Sequence, residues 1–209
     1  MSNAVEICNL ALGHIGSDAN IASISPPDGS VESGYCARYY PLARKLTIAL
    51  AQWSFATTRK ALAEVDNNSN VWQFAYAQPA DCVKPYRILK AGATNEQDGA
   101  SFTIEGGVIY TNEPEAKLVY TRDITDATKF SPEFISALSW MISSYLAGPI
   151  IKGNEGANAA VKLRERAIAE TRLASAGDAN RSSETHGAVP ISVENAVGIQ
   201  VPGFVNFRS

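Results

Sequence analysis

Ser101-Phe102-Thr103-Ile104-Glu105-Gly106-Gly107-Val108-Ile109-Tyr110-Thr111 is the stretch on which the fold turns. Two short runs of β-branched and aromatic residues flank a glycine pair, and glycine supplies positive φ in a tight reversal without a steric penalty. The pattern predicts an antiparallel hairpin with strands at 101–105 and 108–111. Outward from it, 71–76, 86–89 and 116–121 read as further strands, and the polar run Asp66-Asn67-Asn68-Ser69-Asn70 reads as the turn that opens this region.

Helical periodicity flanks the strands on both sides. Asn3 with Glu6 three residues on forms a capping-box pair, after which Ile7, Leu10, Ala11 and Ile15 recur at helical spacing and Gly16 stops the helix. Ser25-Pro26-Pro27-Asp28-Gly29 is a turn, and Ser30 caps a second helix with Val31, Tyr35, Tyr39, Leu42, Leu46, Leu50 and Trp53 as its expected apolar stripe. Pro41 lies inside that helix and predicts a kink, or two helices in succession. Ser131-Pro132-Glu133 starts a third, with Phe134, Leu138, Met141, Ile142, Tyr145 and Leu146 as its apolar face and Gly148-Pro149 as its end or bend. An alanine-rich fourth helix is expected over about 154–176, followed by a polar linker from Gly177 to His186.

Beyond the linker the chain alternates with period two. Val189, Ile191, Val193, Val197, Ile199, Val201, Val205 and Phe207 all fall on odd positions, and only Asn195 and Gly203 interrupt them. In an extended chain period two makes one apolar edge, while Pro190 and Pro202 bar the segment from the middle of a sheet. Burying each such side chain is worth about 1.5–3 kcal/mol, so this edge is expected to find cover, either on its own body or on another subunit. These eight residues together with Phe204 are the expected contacts to a subunit or partner. The arm could span roughly 60–70 Å at ~3.3 Å per residue. The expected fold is therefore α+β: a mainly helical bundle over 1–177 with a small antiparallel sheet inserted at about 66–125, and an extended C-terminal arm over 178–209.

Composition narrows the function. Hydrophobic residues make up 45% and charged residues only 19%, with a formal net charge of −3. That balance suits a chain whose surface is partly covered by neighbours. Binding to DNA phosphates needs clustered Lys and Arg, and no basic block exceeds a pair such as Arg59-Lys60. The three cysteines, Cys8, Cys36 and Cys82, are widely spaced and read as buried free thiols in a reducing compartment. No apolar run approaching ~20 residues and no signal-peptide layout is read, so a soluble protein that stays in the cytoplasm where it is made is expected. His14 reads as a structural residue at a helix end and His186 as a solvated one; neither has the spacing of a metal site. There is no G-x-S-x-G elbow and no phosphate loop, and Asp66, Asp81, Asp98, Asp123 and Asp126 read as turn-closing acids. Trp53, Trp72 and Trp140 read as core. No enzyme activity, cofactor or metal is expected.

Several motifs in fixed order resemble a known family: Ile7-Cys8-Asn9-Leu10-Ala11-Leu12 with Ile15-Gly16; Cys36, Tyr39-Tyr40, Arg44 and Leu50; Trp53-Ser54-Phe55-Ala56; Trp72, Tyr76 and Pro79-Ala80-Asp81-Cys82; and Asp126, Phe130-Ser131-Pro132-Glu133-Phe134, Ala137-Leu138 and Leu146-Ala147. Over roughly residues 3–175 the chain resembles the tail tubular protein A family, the head-to-tail adaptors of short-tailed bacteriophages. The resemblance implies a virion structural protein of the neck, free as a monomer and assembled as a dodecameric ring on the portal. Its implied partners are further copies of itself, the portal protein, the tail nozzle protein and genomic DNA crossing the channel without sequence-specific binding, with no membrane. The competing readings are a head-completion or connector subunit of another phage type, or a small nucleic-acid-binding or hydrolytic protein.

Overall fold

The helix starts follow from local chemistry. In the computed structural model, which describes residues 3–90, 92 and 99–184, with side-chain surroundings through residue 179, Asn3 and Glu6 close a reciprocal capping box at the start of α1 (Ala4–His14). Ser30 accepts the Ser33 amide at the start of α2 (Val31–Leu50), and Ser131 accepts that of Phe134 at the start of α3 (Pro132–Ile151), with Pro132 in the first turn. α2 is one helix across Pro41, so the expected division into two does not occur. α3 likewise passes through Gly148-Pro149 and stops at Lys152, whose φ is 65°, followed by Gly153 at 57°. Two consecutive left-handed residues reverse the chain, and α4 (Gly153–Glu184) runs back along α3.

That return is close because Gly156 has no side chain. A Cβ there would lie 3.0 Å from the Ala147 carbonyl oxygen and 3.1 Å from that of Gly148. α4 also corrects the expected boundary near Ala176: the helix continues to Glu184, so Asp178, expected to open the arm, is a helical residue. Gly177 is tolerated mid-helix because the residues beside it are docked: Ala176 and Asp178 are both buried.

The β region contains two antiparallel sheets where one was expected. Its strands are β1 (Thr57–Ala61), β2 (Phe74–Ala77), β3 (Cys82–Leu89), β4 (Gly99–Ala100), β5 (Phe102–Glu105), β6 (Val108–Thr111) and β7 (Lys117–Arg122), ordered β1-β7-β3-β4 and β2-β6-β5. The glycine hairpin is as read: Glu105 faces Val108, and Gly106 and Gly107 have φ of 57° and 81°, the two positive values of a type I′ turn. β1, ahead of the expected start at 66, was not anticipated. The chain leaving β1 joins the two sheets, since Leu62 donates to the Ala116 carbonyl while Val65 donates to that of Ala75. Glu64 forms an isolated bridge with Tyr76, so the segment after β1 ties the second sheet to the first.

The main core gathers around α3, with Ile7, Leu12, Trp53, Phe134, Leu138 and Met141 all fully buried. A second core of Tyr76, Ile88, Ile109, Leu118 and Tyr120 lies in the β region. An 18-residue window of α3 has a mean hydropathy of 1.5, so the helix is long and apolar enough to cross a membrane by length and composition, contrary to the sequence expectation. Here it is the central helix, packed against α1, α2 and α4. Where α1 approaches α3, the Ser143 hydroxyl faces two acceptors, the Ser139 carbonyl of its own helix at 2.7 Å and the Ala11 carbonyl of α1 at 3.0 Å.

Candidate interaction surface

α2 is turned relative to the face its large residues suggest. Its buried side consists of Ser33, Cys36, Tyr40, Ala43, Arg44, Thr47 and Ile48. Of the expected stripe, Val31, Leu42 and Leu50 are exposed (67%, 53% and 41%), Tyr35, Tyr39 and Leu46 are half-buried, and only Trp53, beyond the helix end, is in the core. On α1, Leu10 is likewise exposed, and Cys8 and Leu12 complete the inward face. The inward face interleaves the small Ser33, Cys36, Ala43 and Thr47 with the larger Tyr40, Arg44 and Ile48, and the fit to α1 and α3 leaves Val31, Leu42 and Leu50 outside.

The outward stripe continues across three helices. Tyr35 stacks on Tyr39 with ring centroids 6.3 Å apart, and Tyr39 stacks on Tyr145 of α3 at 5.5 Å. Arginines cover both ends: Arg38 lies 5.9 Å from the Tyr35 ring centroid, and Arg164 of α4 lies 5.3 Å from that of Tyr145. Beside Tyr145 is a hollow of about 330 Å³ lined by Ser144, Ala160, Val161, Arg164 and Glu165. Tyrosines and arginines on half-buried, rigid helices are the residue types that dominate protein–protein contacts. The signal for Arg38 was available, since it sits at helical spacing between Tyr35 and Leu42; Arg164 and Val161 come from a distant helix and no local pattern announces them.

The polar clusters are structural in their geometry. His14 stacks on Trp140 with centroids 3.7 Å apart, and its Nε2 lies 3.0 Å from Ser139 Oγ. Ser139 gives its own proton to the Ser136 carbonyl at 2.7 Å, so the imidazole N–H donates to the serine. This is the reverse of a base activating a nucleophile. Burial pulls the His14 pKa below its usual value, partly opposed by Glu170, which pairs with Arg166, itself over the Trp140 ring. Of the acids expected in turns, Asp126 caps the 3-10 turn Ala127–Lys129, and Asp81 accepts the Tyr120 hydroxyl at 2.9 Å. Asp123 instead receives Arg44, a buried guanidinium, at 2.7 Å, with Lys45 at 3.6 Å.

Cys8 and Cys36 are buried free thiols, and the Cys8 thiol is pushed up by its hydrogen bond with Cys36 and by burial. Cys82 is only half-buried, in contrast to expectation. So are Trp72 and Trp140: Trp72 lines a polar hollow with Lys90, Ser101, Thr111 and Asn112, and only Trp53 is a true core tryptophan. No group of three or more His, Cys, Asp or Glu side chains capable of holding a metal occurs among the described residues.

Neither protein-family models nor curated protein sequences match this chain. The expected arm contacts, Val189, Ile191, Val193, Val197, Ile199, Val201, Phe204, Val205 and Phe207, lie outside the described residues, as do His186 and Asp98.

Proposed function

We propose that this chain is a structural head-to-tail adaptor subunit of a short-tailed phage, without catalytic activity, whose copies form a dodecameric ring between the portal and the tail nozzle and enclose the path of the DNA. The observation that carries its role as an assembly subunit is the tyrosine–arginine strip across α2, α3 and α4, with Leu42 and Val161 exposed beside it. A large apolar and aromatic surface that the fold leaves half open is suited to a neighbouring copy. The ordered motifs from Ile7 to Ala147 support the phage adaptor in particular, and the alternating residues after His186 supply a second apolar surface for the portal or an adjacent copy. A net charge of −3 suits a channel that must let DNA slide, because a strongly basic wall would hold the phosphates.

The test is to mix the purified chain with the portal protein of the same phage and image the product. Rings matching the portal's symmetry are expected, and Arg164→Glu with Tyr39→Ala should reduce ring formation while leaving the monomer folded. A chain that stays a free monomer beside an intact portal overturns the reading.

A further inference from the structure

We propose that the hollow beside Tyr145 receives Leu42 of a second copy, so that α2 of one copy lies antiparallel against α4 of the next. This rests on the adaptor reading and specifies how successive copies are joined.

The hollow suits an apolar knob. Tyr145, Ala160 and Val161 give it apolar walls, and Ser144, Arg164 and Glu165 complete the lining. Val161 is 60% exposed, so that wall is left open by the chain's own side chains. Arg164 is held over the Tyr145 ring. Glu165 is exposed and makes no ion pair among the described residues.

Leu42 is the complementary feature. It is 53% exposed on α2, and Arg38 lies exposed one turn before it. The Arg38 guanidinium rests near the Tyr35 ring and, like Glu165, has no ion pair among the described residues.

Spacing matches the two features. Arg38 and Leu42 are four residues apart on α2, and Val161 and Glu165 are four apart on α4. Both separations are about 6 Å along the helix at ~1.5 Å per residue. Rows of residues four apart form the ridges that interlock when helices pack. On α2 the charge precedes the apolar residue, and on α4 it follows. With Leu42 seated against Val161, Arg38 therefore meets Glu165 only when the helices run in opposite directions. A parallel arrangement would set Arg38 beside Ala157 and leave Glu165 unmatched. Opposite charges flanking an apolar contact select between such registers.

Leu42 and Val161 both remain exposed in the single chain, so its own α2 does not fill the hollow. A copy that gives its knob to one neighbour offers its hollow to another. That is a head-to-tail contact, the kind that closes into rings.

The test uses the full chain with Arg38→Cys and Glu165→Cys in a Cys82→Ser background, oxidised with and without the portal protein. This leaves Leu42 and Val161 in place. A ladder of covalent multimers on a non-reducing gel is expected, and a mixture of the two single-cysteine chains should stop at the dimer. An intramolecular link, a double variant that stops at two copies, or no link at all overturns the proposal. Portal-bound rings without the link overturn this contact while the adaptor reading stands. Links without portal-bound rings support the contact and overturn the adaptor reading. Independently of cysteine chemistry, Arg38→Glu should lower assembly several-fold, and Arg38→Glu with Glu165→Arg should restore it. Failure of that swap to rescue a folded Arg38→Glu chain overturns the antiparallel pairing.

Discussion

Asp178 receives both the backbone N–H and the side-chain hydroxyl of Ser54, at 2.6 and 2.8 Å, across 124 residues of sequence. A carboxylate on the last helix thus satisfies the first donors of the 3-10 turn Ser54–Ala56, ahead of β1. Asp178 is buried but Ser54 is exposed, so water can partly replace the lost acceptor, and Asp178→Ala is expected to cost about 1–2 kcal/mol. Urea unfolding of the variant, compared with Ser54→Ala, checks this. Chains ending after Gly177 and after His186 should differ in the same way, the shorter one being clearly less stable.

Arg44 and Asp123 form the most buried ion pair among the described residues, with side-chain exposures of 8% and 20%. Removing one partner strands the other charge, and Asp123→Ala should destabilise by roughly 3 kcal/mol. Arg44→Met in the same background should recover part of that loss. If the double variant is no more stable than Asp123→Ala alone, the penalty does not arise from the stranded guanidinium.

His14 gives the fold a pH dependence of definite sign. Its pKa is depressed in the folded chain below the ordinary 6.5, because burial disfavours the imidazolium. The unfolded chain therefore binds the proton more readily, so stability is undiminished above 6.5 and falls as the pH drops from there toward the folded value. Melting temperatures at pH 7.5 and 5.5 should differ less for His14→Gln than for the parent chain. An equal pH response in both would show that other groups set it.

Gly156 is where α4 starts back along α3. Gly156→Ala improves helix propensity, yet its methyl group would press on two backbone carbonyls at 3.0 and 3.1 Å. The clash is expected to prevail, with a net loss of about 1–2 kcal/mol, read from thermal or urea unfolding.

The capping pairs Asn3–Glu6 and Ser131–Phe134, the proline at the start of α3, the Gly106–Gly107 reversal and, Tyr145 apart, the inward face of α3 were all legible in the sequence. Each depends on residues within a turn or two of one another, whose φ, capping and periodicity are decided locally. The α2 stripe from Val31 to Leu50 was equally visible as a stripe, but its direction was not. A helical period shows that a face exists; which of two faces goes inside depends on what α1 and α3 present to it. The candidate surface is illegible for that reason: Tyr35, Tyr39, Leu42 and Tyr145 read as inward-facing positions, yet they line the strip or lie beside it.

By itself the sequence determined the α+β composition, where helices begin, where the hairpin turns and the apolar alternation after His186, because these follow from neighbours along the chain. Tertiary structure alone decided that α4 extends to Glu184 with Asp178 on Ser54, that β1 pairs with β7, that the β region forms two sheets tied by the segment after β1, and that Tyr35, Tyr39 and Tyr145 meet in one strip. Those contacts join residues distant in sequence, and their free energy exists only once the elements have packed.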